Sequence, residues 1–377
     1  MPLDLTLASR NLFHDRLRFI ATTVGIVFSV VLVMVQMGLY LGFGQMVTKM
    51  IDHASTDLWV VRKGTNCFED PSLLDATDQK AILKVAGIAS ATPLVIGFAD
   101  WRLPSGELTP VFVVGSDLAN GSLQPWNIVA GSLRSLSAHD AVAVDRTYDK
   151  RLGISGIGAK AEIRGRAVHV AALTDGIRSF TTTPYVFVDL KFARGYTGAP
   201  RDKASYFLVN LKPDADVAAV RRDLLANISG VEVLTSAQFR DRSREFWLFG
   251  TGAGAALFAG ALLGVIVGTV IVAQTLYSST KDHLDEFATL RAMGSSNRYV
   301  YRVIIYQALI NAAVGFCFAA LIGFAVVAIT TKSALPVVIT PALMAAVFGL
   351  TVAMCIGSAL VAILGVVRID PVMVFTR

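Results

Sequence analysis

Charge is what this chain has least of. Charged side chains make up 16% of its 377 residues, against about a quarter in soluble globular domains. The shortage is concentrated: residues 19–48, 246–280, 303–331 and 333–367 hold no Asp, Glu, Lys, Arg or His at all. Proton- and ion-coupled transporters need such groups within the bilayer, so their absence argues against an antiporter or a charged-filter channel. Cysteine is scarce too: Cys67, Cys317 and Cys355 are too few and too dispersed for a disulfide framework or a metal site. The five histidines, His14, His53, His139, His169 and His283, show no metal-ligand spacing, and no Ser/His/Asp arrangement stands out. The nearest approach to a phosphate-binding loop, Gly153 to Lys160, has one residue too many before the lysine and no Ser or Thr after it. Nothing here points to an enzyme. The net charge of +6 is scattered rather than gathered into a basic, aromatic-interleaved patch, which argues against nucleic acid as a partner.

What is present is apolar length. Each of the four charge-free runs exceeds the roughly 20 residues needed to cross a bilayer. No comparable run lies between Lys49 and Glu245. The fold class expected is an α-helical membrane protein with four transmembrane helices and a large α+β periplasmic domain between the first and second. The first run is about twice the length of a signal-peptide core and lacks a clear cleavage site, so it reads as a span.

Orientation follows from the short flanks. Residues 1–18, 281–302 and 368–377 carry three, four and two Lys/Arg, while the segment between the third and fourth spans carries only Lys332. The positive-inside rule places both termini and residues 281–302 in the cytoplasm, and the large domain outside. Arg240, Arg242 and Arg244 oppose that rule, but long domains translocate regardless of charge.

The domain boundaries follow in order. Residues 1–18 form a cytoplasmic interfacial helix whose Arg10, Arg16 and Arg18 can meet membrane lipid headgroups. Residues 19–48 are the first span and 49–245 the periplasmic domain. That domain divides into one subdomain from about 50–100 plus 200–243 and a strand-rich second from about 100–200. Strand-like runs begin near Leu58, Val111, Ala141, Ala161, Tyr185 and Tyr206; helix-like runs lie near 76–85, 146–152 and 215–228. Residues 246–280 are the second span with a stalk. Thirty-five helical residues would reach roughly 52 Å against a hydrocarbon core of about 30 Å. Residues 281–302 hold a short cytoplasmic helix and loop, 303–331 and 333–367 the last two spans, and 368–377 the tail.

In the second span, Gly260, Gly264 and Gly268 lie four apart on one helix face. Small residues at that spacing serve either helix packing within the subunit or a homodimer seam. Gln307 and Asn311, also four apart, suit an interhelical hydrogen bond. Thr340-Pro341 reads as an N-cap followed by proline at the first helical position of the fourth span.

The segment after the second span carries Asp282, Glu286, Phe287, Leu290, Arg291 and Gly294 in an order that resembles the MacB/FtsX/LolC (type VII) family of ABC transporter permeases. Three further regions agree with it: Ala8-Ser9-Arg10-Asn11-Leu12 before the first span, Ala130-Gly131 with the strand from Ala141 to Val144, and Arg368-Ile369-Asp370-Pro371-Val372 at the tail. The resemblance implies that those six residues form a coupling helix docking into an ABC ATPase, two copies of which bind a homodimer of permeases. It implies no cofactor in this chain, with ATP and Mg on the partner. Asp285 and Ala288 depart from the family pattern, where a basic residue and glycine are common. Asp57-Leu58-Trp59-Val60-Val61 after the first span looks most like the stand-alone DevC subfamily, which works with a periplasmic adaptor protein and an outer-membrane tunnel. The expected function is ATP-driven mechanotransmission that expels a lipidic or amphipathic substrate. The alternatives are FtsX-like signalling to periplasmic hydrolases, LolC-like lipoprotein release, or a membrane-anchored binding module without an ATPase.

Overall fold

Four long helices occupy the charge-free runs. The computed structural model describes residues 16–70, 72–119, 121–181, 183–282, 297–330 and 336–367. The helices are Arg16–Met46, Ala253–Asp282, Asn297–Thr330 and Pro341–Val367. Each contains a stretch long and apolar enough to cross a membrane: Phe19–Met46, Ala253–Ser278, Tyr301–Thr330 and Pro341–Val361. The chain forms two units, one of residues up to Gly42 and from Ala253 onward, the other Phe43–Gly252.

The helical unit is packed through small residues of its spans, the first and third among them. A side chain added at Gly25 would meet Ile271, and one at Gly315 would meet Ile26. At its other end the first span approaches backbone directly. The carbonyl of Gly38 accepts from the Val338 amide at 3.0 Å, and a Cβ on Gly42 would lie 2.2 Å from the Pro336 oxygen. The fourth span's helix begins at Pro341, as the Thr340-Pro341 pair leads one to expect, and residues 336–340 precede it outside regular secondary structure. Thr340 Oγ1 then accepts from the Leu343 amide at 3.1 Å, capping the helix at the proline.

The second span is corrected. A single helix from 246 through a stalk is not what forms. Phe246–Gly250 makes one π-helical turn, Thr251 and Gly252 close it, and the helix restarts at Ala253. The Thr251 amide returns to Phe246 O at 3.0 Å, and Gly252 adopts φ +75°, a left-handed backbone that glycine reaches without penalty.

The other unit is built on twelve strands: β1 Leu58–Arg62, β2 Leu74–Asp75, β3 Ile88–Arg102, β4 Leu108–Ser116, β5 Ile128–Gly131, β6 Ala141–Asp145, β7 Lys160–Ile163, β8 Arg166–Thr174, β9 Tyr185–Asp189, β10 Lys203–Ala204, β11 Tyr206–Leu211 and β12 Val231–Thr235. The large sheet runs β12-β1-β11-β3-β4-β9-β6-β8-β5, with β7 joining β8 back to β3. The circuit β3-β4-β9-β6-β8-β7-β3 therefore closes into a six-stranded barrel. Alternate residues of its strands point inward, as the two-residue period requires, and bury Val95, Trp101, Val111, Val113, Val144, Val168 and Val186. Helix Leu190–Thr197 packs on the barrel at Gly115, where an added Cβ would lie 2.0 Å from that of Ala193.

Strand β3 serves both halves. Its first part pairs with β11 up to Leu94–Tyr206, and its second with β4 from Val95–Gly115. The division expected near residue 100 thus falls inside one continuous strand. Helices Asp78–Leu83 and Val217–Asn227 cover one face of β12-β1-β11-β3, burying Ile82, Val85, Val220 and Leu224 on Leu58, Val60, Phe207 and Val209. The run beginning at Ala161 is a hairpin, β7 and β8, rather than one strand, turned at Arg164 (φ +50°) and Gly165 (φ +73°).

Candidate functional site

The opposite face of β1 and β11 is aromatic. Trp59, Phe68, Tyr206 and Phe239 are all fully buried, and the Trp59 ring lies 5.1 to 6.2 Å from the other three. Full burial of side chains this large is worth about 1.5–3 kcal/mol each, so the loop following β1 is drawn inward at Phe68. Tyr206 fixes that loop's path. Its hydroxyl lies 3.1, 3.0 and 2.7 Å from the carbonyl oxygens of Cys67, Phe68 and Asp70. Arg242 holds the loop's start, donating to Thr65 O at 3.3 Å and pairing with Glu232 at 2.7 Å.

This path sends Glu69 inward. The Tyr185 hydroxyl donates to its Oε1 at 2.9 Å and the Trp247 indole to its Oε2 at 3.2 Å. Only 8% of the residue is exposed. Burial outweighs these two hydrogen bonds and a third from the residue's own amide, and pushes the carboxyl up to about 7. Burial, with Glu69 beside it, also pushes the Cys67 thiol up to about 12, which leaves it protonated and inert. Cys67, Glu69, Asp70, Phe98, Phe246 and Trp247 line an open cleft of about 250 Å³.

The cleft's wall belongs to the segments through which the chain enters and leaves this unit. Helix Ser236–Glu245 starts at a capping box: Thr235 Oγ1 accepts from Gln238 N at 3.2 Å, and Gln238 Oε1 accepts from Thr235 N at 3.1 Å. It then carries Ser243, whose hydroxyl donates to Val47 O at 3.3 Å, and Arg240, which pairs with Asp52 at 3.0 Å. Trp247 stacks edgewise on Phe180 at 4.3 Å, and Phe180 on Phe43 at 5.3 Å. Lys49 donates to Gly176 O at 3.1 Å; burial, reinforced by Arg178, lowers its pKa. Residues 43–52 and 236–247 are thereby bound to each other. The arginines that oppose the positive-inside rule have local partners here, with Arg244 set 3.6 Å from Asp241.

The residues singled out from the sequence lie elsewhere. Asp282 is the last residue of its helix, whereas Glu286, Phe287, Leu290, Arg291 and Gly294 lie outside the described residues. Gly260, Gly264 and Gly268 face the first span. Added Cβ atoms would meet Gln36 at 2.7 Å, Val33 at 3.1 Å and Ser29 at 2.1 Å, and Ser29 Oγ donates to Gly264 O at 2.6 Å. At these glycines the adjoining space is taken by side chains of the first span, which is the helix packing the spacing allows for. Gln307 and Asn311 are buried, at 4% and 1% exposure, and Asn311 Oδ1 has no hydrogen-bond partner among the described residues. Among the described residues no group of three His, Cys, Asp or Glu side chains could hold a metal. Glu69 was invisible in the sequence, because its partners stand 116 and 178 positions away.

Comparison with known proteins follows the same division. The family model for the MacB-like periplasmic core domain matches residues 19–227, and that for the FtsX-like permease C-terminal region matches 258–371. No curated protein matches the chain. Among solved structures, the periplasmic region of MacB from Actinobacillus actinomycetemcomitans aligns at 10% identity and TM-score 0.39, covering 52% of this chain and 96% of that one. The extracellular domain of the noncanonic ABC-type transporter YknZ from Gram-positive bacteria aligns at 12% identity and TM-score 0.35, covering 48% and 99%. A permease-protein domain from Porphyromonas gingivalis aligns at 12% identity and TM-score 0.33, covering 49% and 89%.

Proposed function

The chain belongs to the MacB/FtsX-type family of ABC transporter permeases, and from that premise we propose that it transmits ATP-driven motion from a separate ATPase to its outer domain. Membership implies an ABC ATPase partner and a dimeric assembly in general. In the finer reading, two ATPases press on the segment from Asp282 to Gly294 in each copy of an inner-membrane homodimer with cytoplasmic termini. The outer domains then drive a lipidic or amphipathic substrate toward a periplasmic adaptor and an outer-membrane tunnel, as in the DevC type.

One observation carries this reading. The two segments joining the outer domain to the first and second spans are tied together by Ser243–Val47 and Arg240–Asp52. A displacement delivered through either span reaches the outer domain as one displacement, which suits a force-transmitting device. Charge-free spans offer no hydrophilic path for cargo, which favours handling it outside. The same features also suit FtsX-like signalling, in which nothing is transported; the closed barrel of β3, β4 and β6–β9 favours export, because it gives the outer domain a second body able to engage cargo or an adaptor.

The test is co-purification from membranes of wild type and Glu286→Lys, scored for a bound ATPase subunit and ATP hydrolysis. Wild type is expected to bring down an ATPase in equal amount and the variant to lose it. Wild type that purifies alone under gentle conditions would overturn the reading in favour of an anchored binding module.

A further inference from the structure

We propose that the cleft beside Glu69 is a binding site for a small organic cation, a quaternary or protonated alkylamine. The argument rests on how the cleft is walled. Its floor is a carboxylate that the fold has taken out of water, and its neighbour Asp70 adds a second acidic side chain. Three aromatic side chains make up most of the remaining wall, with Asn66, Cys67 and Thr181 between them. Trp247 and Phe246 come from the π-helical turn, and Phe98 projects from β3 with 52% of its surface exposed, propped edge-on against Phe112 at 4.8 Å. Among the described residues no Lys or Arg lines the cleft.

That combination selects a ligand class. Aromatic faces attract cations through their quadrupole, more strongly once water is excluded, and a buried carboxylate supplies the charge. An anion would be repelled by both carboxylates. A neutral apolar molecule would leave the carboxylate without compensation. The cleft's volume, about 250 Å³, admits a compact headgroup and not an extended chain. Tyr185, Trp247 and the residue's own amide use three of the roughly four acceptor sites of the carboxylate, which leaves one to face a further partner.

Occupancy is coupled to a proton. The ionisable groups around Glu69 are Cys67 and Asp70 on its own loop, Tyr185 on β9 and Tyr206 on β11; Trp247 donates without titrating. Burial holds the Glu69 carboxyl near 7, whereas Tyr185 and Tyr206 are raised well above the ordinary phenol value and stay protonated. A bound cation favours the ionised carboxylate and expels its proton. The site also sits on the turn that leads into the second span, so a ligand against Trp247 stiffens the connection on which the proposed function depends. The binding itself requires no ATPase.

The experiment is isothermal titration of the full-length protein in neutral nanodiscs with choline, its uncharged isostere 3,3-dimethyl-1-butanol, and glycerophosphocholine. At about pH 8 choline is expected to bind once per chain, with the isostere about tenfold weaker or worse. Glycerophosphocholine is expected to be weaker than choline because its phosphate meets Asp70; the reverse order would overturn the free-amine assignment in favour of a lipid headgroup. Lowering the pH to about 5.5 should weaken choline about tenfold or more, and binding near pH 7 should release a proton, seen as a buffer-dependent heat. Glu69→Gln is expected to lose about tenfold. Phe98→Leu, which keeps the rim apolar and leaves the buried network alone, is expected to lose about threefold. Equal binding of choline and the isostere, no response to either substitution, or no choline binding at millimolar concentration would overturn the site. Loss of ATPase co-purification alongside intact choline binding would overturn the proposed function and leave this site standing.

Discussion

The indole nitrogen of Trp247 donates to Glu69 Oε2 across 3.2 Å, joining the loop after the first strand to the turn before the second span. The bond is made to a carboxyl that burial holds near 7 rather than 4.5, so the folded protein keeps a proton there that the unfolded chain releases. The sign follows: between those two values the native state binds more protons than the unfolded state, and stability falls as pH rises. The full effect is on the order of 3 kcal/mol, reached above about pH 7.

Glu69→Gln removes the titration. Its stability should match wild type near pH 4.5 and exceed it at pH 8, and the difference between the two curves should grow between those limits. Thermal melting of both proteins across that range measures it. A constant difference would mean that the carboxyl ionises freely in the native state.

Glycines of the second and fourth spans provide a graded series. Gly268→Ala places a methyl 2.1 Å from Ser29 Oγ, with the Met354 sulfur at 2.9 Å, in a seam closed by the Ser29–Gly264 hydrogen bond. Overpacking of this kind costs about 1–3 kcal/mol. Gly260→Ala meets the flexible end of Gln36 at 2.7 Å and should cost less. Gly349→Ala meets nothing within 4 Å and should be neutral. Melting temperatures in nanodiscs should therefore fall in the order Gly349→Ala, Gly260→Ala, Gly268→Ala.

The spans were legible because length and lack of charge suffice to mark them, and Thr340-Pro341 marks a helix start by local chemistry alone. What was missed depends on long-range pairing. The full length of strand β3 is not legible in the sequence because Pro93 and Gly97 interrupt its alternation, yet Gly97 is where the side chain of Thr197 approaches within 3.3 Å of a would-be Cβ. The break at Gly252 was overlooked because an apolar run carries no signal distinguishing one long helix from two. Glu69 offered only a charged residue in a loop, which is usually solvated; its burial is decided by Tyr206, Tyr185 and Trp247, all more than a hundred positions away.

Tyr206→Phe tests what holds that loop. The ring stays in the aromatic core, but the carbonyls of Cys67, Phe68 and Asp70 lose their shared donor. The cost is expected at about 1–2 kcal/mol. Hydrogen exchange should accelerate selectively at residues 66–70, and choline binding should weaken with it. Uniform acceleration across the outer domain would mean that the hydroxyl supports the whole core.

Arg240 and Asp52 separate stability from force transmission. Their side chains are 39% and 34% exposed, and such an ion pair contributes about 0.2–1 kcal/mol, so single reversals should leave the melting temperature within about two degrees. Their position is what matters, since they join the segments leading to the first and second spans. Under the proposed function, Arg240→Asp and Asp52→Arg should each lower transport relative to ATP hydrolysis, and the double exchange should restore it. Rescue in the double variant is the informative outcome, because loss in the singles alone could come from local distortion. Singles with undiminished coupling would place the transmission path on the backbone contact, Ser243 to Val47, where Ser243→Ala is the next substitution to make.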